Sequence, residues 1–384
     1  MSSIAELTIA NFRVHWNSYL DDLMTAPFQA ADRASDGKYK ASAAVVARRL
    51  DLLGHSLKAA RRAYECACDR LGDYSRERWP GELLGPGGFD RWLDAVRTCI
   101  DAARKDGRPQ ASDVAEPLLR FVLEDDDEHF LGFPGGAWLL VARAVAHVAP
   151  DDEFVLDIEE LVDTGYLDED EDLNSEASRE PVIIVTEGKS DSRLLRRSVS
   201  ALFPEFAEFM SFIDFETANA KGGTDELLQF GCMLIGCGIR NRMVFLFDNN
   251  TAGSAAHDRF VELKAPHNVF VMKLPQLRLI DAYPTLGPEG EMTADINGRA
   301  CALELYLGLD ALTDESGELI PIRWTGFDDK RKQYQGQITQ KDAVQKRFEE
   351  KLARVERDPG ERGELDFSGI ELIVSALFDN LRQR

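Results

Sequence analysis

An α/β fold built on a parallel sheet is predicted for the second half of this chain, behind a mainly helical region that a β-hairpin opens. Three observations predict it. Val182–Val185 and Met243–Phe247 are short β-rich apolar runs that each stop at a carboxylate followed by turn-forming residues. A run of that length between turn signals suits a buried parallel strand. Segments of helical periodicity alternate with such runs, which indicates βαβ units with right-handed crossovers. Finally, residues 4–16 alternate around Ala10-Asn11, as a tight hairpin does.

Taken in order, the hairpin is followed by helical spacing from Ala41 to Cys68, where Val45, Leu50, Leu53, Leu57 and Ala60 recur and Gly54 divides two helices. Helices are expected at Phe89–Ala103, Val114–Leu123 and Ala137–Val148, punctuated by Pro80, Gly85-Pro86-Gly87-Gly88 and Phe133-Pro134-Gly135-Gly136. From Asp151 the chain turns acidic. The first half of that run is expected as a helix carrying Leu156, Ile158, Leu161 and Val162; its second half reads as a solvated linker and a domain boundary. Beyond Pro181, strands at Val182–Val185, Ser211–Phe215, Met243–Phe247 and Asn268–Lys273 alternate with helices at Asp191–Phe203, Asp225–Ile235 and Ser254–Leu263. Further helices are expected at Arg299–Leu307 and Gly369–Arg382.

The 384 residues suffice for two or three domains. No apolar run reaches the roughly 18 residues that span a bilayer, and the N-terminus lacks the basic and apolar regions of a signal peptide, so a cytoplasmic protein without membrane contact is expected. None of the six cysteines makes a C-x-x-C pair, which excludes a zinc finger of that spacing. A formal charge of −23 argues against broad attraction to nucleic acid. The charge is uneven: residues 151–180 hold fourteen acids against one arginine. By contrast, residues 321–357 hold ten Lys or Arg against six acids, with Trp324, Phe327 and Tyr334 interleaved. That mixture suits a single-stranded nucleic-acid surface, although Val344, Phe348, Leu352 and Val355 fall at helical spacing and fit an amphipathic helix better.

Candidate chemistry collects at the two acidic strand ends. Glu187 and Asp248 stand at the carboxyl edge of a parallel sheet, where open α/β folds bind ligands. Asp191 falls in the first turn of the next helix, which Ser190 is suited to cap. Hard oxygen donors of this kind suit Mg²⁺ or Mn²⁺. A lone strand-end acid is more often a helix cap; two, each followed by small or glycine-rich turns, favour a metal site. Gly188-Lys189-Ser190 imitates the end of a P-loop, but the glycine required five residues earlier is Ile183, which excludes that NTPase motif.

With these motifs in hand, Val185-Thr186-Glu187-Gly188-Lys189-Ser190-Asp191 and Phe245-Leu246-Phe247-Asp248-Asn249-Asn250 resemble the Toprim domain of topoisomerases, primases and OLD-family nucleases. Ala5-Glu6-Leu7-Thr8-Ile9 and Arg48-Arg49-Leu50-Asp51-Leu52-Leu53-Gly54 resemble the HEPN/Toprim-associated N-terminal domain. The resemblance implies a Rossmann-like parallel-sheet Toprim domain over 179–290, an associated N-terminal domain over 1–178 and an α-rich extension over 291–384. It implies Glu187 as general acid/base or metal ligand, Asp248 as metal ligand and Asp191 as auxiliary acid. The second aspartate of the family's Asp-x-Asp falls on Asn250, an oxygen donor without the charge. Lys189, Arg193 and Lys221 are candidates for substrate phosphate, and Asp281 for a further carboxylate, though an ordinary loop acid is the simpler reading there. HEPN ribonucleases pair an arginine with a histidine; Arg48 or Arg49 with His55 has compatible spacing, but Gly54 beside the histidine favours coincidence.

The expected function is a Toprim-type, Mg²⁺- or Mn²⁺-dependent nuclease acting on DNA or RNA. Stand-alone Toprim proteins resemble antiphage defence effectors, which implies a partner defence protein or a homo-oligomer. The alternative is a catalytically weak or inactive Toprim subunit that binds nucleic acid or a partner protein.

Overall fold

Two residues at positive φ, Ala10 (47°) and Asn11 (62°), close the first hairpin in the computed structural model of the protein. Both central positions of a two-residue turn at positive φ match the right-handed twist of the strands they join. Described are residues 5–17, 22–71, 79–107, 109–124, 129–134, 137–165, 180–213, 222–263 and 265–382. The expected linker over 168–179, the end of the strand expected at Ser211–Phe215, and Lys221 lie outside them. The chain divides into two compact units, 1–180 and 181–383.

In the first unit, β1 (Ala5–Ile9) and β2 (Phe12–Asn17) join β3 (Tyr39–Ser42) and β4 (Glu153–Asp157) in an antiparallel sheet of order β2-β1-β4-β3. Strand β4 replaces the first part of the helix expected at the start of the acidic run, whereas its later part is helical over Glu159–Asp163, with Leu161 buried. Phe154 and Leu156 are buried at period two, and β4 pairs with both β1 and β3, a long-range match that local spacing does not reveal. The unit is therefore less helical than expected. Its main helices are α1 (Ala43–Leu53), α2 (Leu57–Arg70), α3 (Gly88–Asp106), α4 (Pro117–Leu123) and α5 (Trp138–Val148). Ser42 caps α1 by accepting the Val45 N–H, and Gly54, at φ 98°, ends it in the left-handed region that glycine tolerates.

Buried ion pairs tie these helices down. The Arg143 guanidinium meets Asp51 at 2.8 Å, joining α5 to α1. Arg49 is fully buried, donates to the Pro27 carbonyl at 3.0 Å and pairs with both oxygens of Asp32. Those contacts give Arg49 a structural role in this unit. Removing one partner of a buried pair strands the other charge, so Arg49→Ala is expected to destabilise this unit by about 3–5 kcal/mol. Urea unfolding of the variant checks it; a loss below about 1 kcal/mol, the range of an exposed pair, would contradict the structural role.

The second unit opens with β5 (Val182–Thr186), α6 (Lys189–Leu202), β6 (Met210–Phe212), α7 (Thr224–Gly236), β7 (Met243–Phe247), α8 (Thr251–Glu262) and β8 (Val269–Lys273). Its sheet is wholly parallel, in the order β8-β7-β5-β6. β7 is buried at all five positions, as a central strand covered on both faces must be. The chain steps from β5 outward to β6 and then returns to β5's other side with β7. Strand order therefore reverses between β5 and β7, and a crevice opens at their carboxyl ends.

The unit continues through β9 (Tyr283–Gly287), β10 (Gly290–Ala294), β11 (Ile322–Asp328) and β12 (Gln333–Ile338), a second sheet of order β10-β9-β11-β12. The helices α9 (Lys341–Arg357) and α10 (Ser368–Arg382) follow. Val344, Phe348, Leu352 and Val355 are all buried, so α9 is the amphipathic helix its spacing indicated. Residues 291–384 thus carry strands as well as helices. The helix expected at Arg299–Leu307 is absent: Ala300–Cys301 pairs with Asn249–Asn250, and Leu303–Tyr306 is a 3₁₀ turn. Nearly every residue there is buried, which leaves no polar face for an amphipathic helix.

Candidate active site

Glu187 and Asp248 follow β5 and β7 directly, and those strands pair, with Thr186 opposite Leu246. The Glu187 carboxylate accepts the Asp248 backbone N–H at 2.9 Å and the Thr224 hydroxyl at 2.8 Å. One side chain is thereby fixed across the switch point. Gly253, in the first turn of α8, makes this approach possible: a Cβ there would lie 2.9 Å from Glu187 Oε1 and also run into the Asp248 carbonyl. Gly223, at φ 139°, starts α7 and donates its N–H to the Glu187 carbonyl at 2.7 Å.

Asp191 lies in the first turn of α6. Ser190 does not cap that helix. Gly188 holds the cap position without a side chain, and the Ser190 hydroxyl instead donates to Asp191 at 3.2 Å. Asn250 takes the capping role on α8, accepting the Gly253 N–H at 2.8 Å through Oδ1. Its Nδ2 then donates to Asp248 Oδ2 at 3.2 Å. The donor at Gly253 requires the amide oxygen on that side, so the nitrogen must face the carboxylate.

Two residues that sequence reasoning missed complete the cluster. Glu304 is 2% exposed and accepts from Gln345 at 2.8 Å, and Lys341 Nζ pairs with it at 2.8 Å. A signal existed for each. Glu304 is the single charge in the apolar run Ala300–Leu307. Lys341 opens a helix, where the dipole favours acids over cations.

The electrostatics bind these groups into one cluster. Burial raises the Asp191 carboxyl to about 6, with repulsion from Glu304 and Glu187 adding to the shift. Burial also drives Asp248 well above the usual carboxylate range, and Glu187, Asp191 and Glu304 push it further. Glu187 is raised by burial against its two hydrogen bonds. Lys341 is pulled up despite its burial by Glu304, Asp191 and Asp248. One ammonium thus faces four carboxylates in a low-dielectric crevice.

Other expected residues stand apart. Lys189 is exposed in the first turn of α6, and Arg193 is paired with Glu349 at 2.7 Å. Asp281 ends a 3₁₀ turn and accepts from Asn297 at 2.9 Å, an ordinary loop role. In kind, the donor set suits a hard divalent cation, since it is all carboxylate oxygen and carries excess negative charge. In spacing, no group of three or more His, Cys, Asp or Glu side chains among the described residues is arranged to hold a metal ion.

Comparison with known proteins adds one result. Residues 1–181 match the family HEPN/Toprim N-terminal domain 1. That match points to a nuclease-associated protein. No curated protein and no solved structure matches the chain. Among the described residues, no helix is long and apolar enough to cross a membrane.

The raised Asp191 carboxyl predicts a pH dependence for the metal-free protein. Its folded-state value lies above that of an unfolded aspartate, so the folded state binds this proton more tightly and ionisation costs stability. Stability in EDTA is expected to fall as pH rises from about 4 to about 6. Asp191→Asn is expected to recover on the order of 1–3 kcal/mol at pH 7.5. Urea unfolding at several pH values measures both, and an Asn variant no more stable than the parent would refute the crowding.

Proposed function

We propose that the second unit is a Toprim-type nuclease that hydrolyses nucleic-acid phosphodiesters with Mg²⁺ or Mn²⁺. The observation that carries this reading is the convergence of Glu187, Asp191, Asp248 and Glu304 at one topological switch point, in excess over Lys341. Uncompensated carboxylates in a buried crevice are costly to keep unless a cation or its equivalent is part of their function. Glu187 and Asp248 would be the ligands of an ion, and Asp191 could join them only by rearrangement, since the described side chains do not converge on one ion position as placed; the ion would supply charge stabilisation to an in-line displacement at phosphorus.

The remaining residues follow from their placement. Thr224 and the Asp248 N–H orient the Glu187 carboxylate, so the ligand is set before an ion arrives. Lys341 offers a fixed ammonium to a phosphate oxygen beside the acids. Lys189 is exposed and available for the flanking phosphate, whereas Arg193 would have to exchange Glu349 for it. The Toprim resemblance and the matched N-terminal family together favour an antiphage effector working with a partner defence protein or as a homo-oligomer.

Purified protein should cleave single-stranded or duplex nucleic acid in Mn²⁺ and not in EDTA. Glu187→Ala and Asp248→Ala should each lower the rate by about a hundredfold or more, beyond the ten- to hundredfold typical of outer-shell residues. Full activity in both variants would remove the site assignment.

One observation favours a second reading, an inactive binding subunit: Asn250 stands where the resemblance implies an acid, and its oxygen is spent on the α8 cap. Aspartate also caps helices, so Asn250→Asp keeps that bond while adding a charge beside Asp248. The variant is expected to bind Mn²⁺ more tightly than the parent by calorimetric titration. Absence of Mn²⁺ binding in both proteins would favour the inactive subunit.

A further inference from the structure

Strands β11 and β12 form a hairpin whose outer part carries an aromatic strip. Tyr334 packs against both Trp324 and Phe327, with ring centroids 5.8 Å and 5.0 Å away and ring planes inclined at 51° and 66°. Trp324 and Phe327 are three residues apart and would face opposite ways on a regular strand. The register shift between Trp324 and Gly326 corrects the parity and brings both rings to the face of Tyr334. Gly336 makes room for the indole: a Cβ there would lie 3.1 Å from Trp324. The strip is nevertheless not core, for Phe327 is 47% and Tyr334 56% exposed.

The hairpin is tied to the acid cluster at both ends. Thr251 Oγ1 donates to the Tyr334 carbonyl at 3.0 Å, and Arg331 donates to the Ser254 carbonyl at 3.2 Å and pairs with Asp258. Thr251 and Ser254 belong to the first turn of α8, just past Asp248 and Asn250. At its far end β12 stops at Ile338, and three residues later Lys341 reaches Glu304. Exposed Lys330 and Lys332 lie in the hairpin turn between Phe327 and Tyr334, and exposed Arg323 precedes Trp324 on β11. Of the two acids at the hairpin turn, Asp328 accepts the Lys330 and Arg331 N–H groups, and Asp329 pairs with Lys332 at 3.6 Å. In a chain of net charge −23, residues 322–338 carry four basic side chains against two acids.

We propose that this strip is a stacking platform for unpaired bases, so that the site acts on single-stranded nucleic acid in preference to intact duplex. The assignment of cleavage to the site rests on the nuclease reading above; the binding does not. Exposed rings spaced along a sheet face match bases splayed along a strand, and every base offers a π-face to them. A duplex keeps its bases stacked on each other and offers such rings nothing but groove edges. Arg323 and Lys330 supply the charge that draws in the phosphates.

The test is anisotropy titration of the full chain, in EDTA, with a labelled strand of about 16 nucleotides. The strand is presented as DNA, as RNA and as blunt DNA duplex. The expected result is tighter binding of at least one single strand than of the duplex. Tyr334→Ala and Phe327→Ala should each weaken it about tenfold or more, while Tyr334→Phe retains it. Exposure of both rings makes folded variants the expectation, and circular dichroism checks that. Duplex binding as tight as the single strand, or alanine variants that bind like the parent, would overturn the proposal. Loss of strand binding in Tyr334→Ala without cleavage under any metal leaves the platform standing and removes the nuclease reading; metal-dependent cleavage with unaltered strand binding does the reverse.

Discussion

Crowding of negative charge at one sheet edge is the constraint on which the second unit depends. The parallel order places the ends of β5 and β7 side by side, and each strand ends in an acid. Glu187 could have turned to solvent, but its hydrogen bonds to the Asp248 N–H and Thr224 hold it across the crevice. Gly253 shows how strictly this is imposed, because the closeness survives only where no Cβ intrudes. Local geometry therefore maintains a repulsion that relaxation to solvent would relieve. Such an arrangement is stable only because the sheet beneath it, with β7 buried throughout, outweighs it.

Asn250 and Lys341 moderate the same repulsion in different ways. An aspartate at 250 would cap α8 equally well but would place another charge beside Asp248. The amide instead donates a hydrogen bond to that carboxylate. Lys341 contributes a positive charge from the start of α9, a helix tied to α6 by Arg193–Glu349 and Arg197–Glu356. The acid cluster is thus assembled from segments far apart in the sequence of one unit. No short motif contains it.

That distribution explains what was legible in the sequence. The parallel strands, their helices and the acids Glu187, Asp191 and Asp248 were readable because period and strand-end position are local properties. The first hairpin was readable for the same reason, since Ala10-Asn11 carries its own turn geometry. Strand β4 was not, because Phe154 and Leu156 lead straight into the helical spacing of Ile158, Leu161 and Val162, and only pairing with β1 and β3 separates the strand from the helix that follows. The pairing of Glu304 with Lys341 was hidden by distance along the chain: each charge is locally out of place, but only the fold brings the two together. Ser190 is the better capping residue by type, yet the cap position falls two residues earlier, on Gly188, which local sequence does not decide.

The coupling of the second sheet to the acid cluster has a consequence for how an acidic protein handles a polyanion. Long-range attraction to a polyanion is unavailable at a net charge of −23, and acidic groups at the sheet edge would add to the repulsion. Recognition must then rest on contacts that do not depend on net charge. Stacking is such a contact, being local and insensitive to the sign of the surrounding field. On the proposed reading, a hairpin that carries rings and leads into Lys341 would let base contacts hold a strand while a single ammonium meets its phosphate. Tyr334 and Lys341 are seven residues apart, and both are anchored beside the acids, Tyr334 through Thr251 and Lys341 through Glu304.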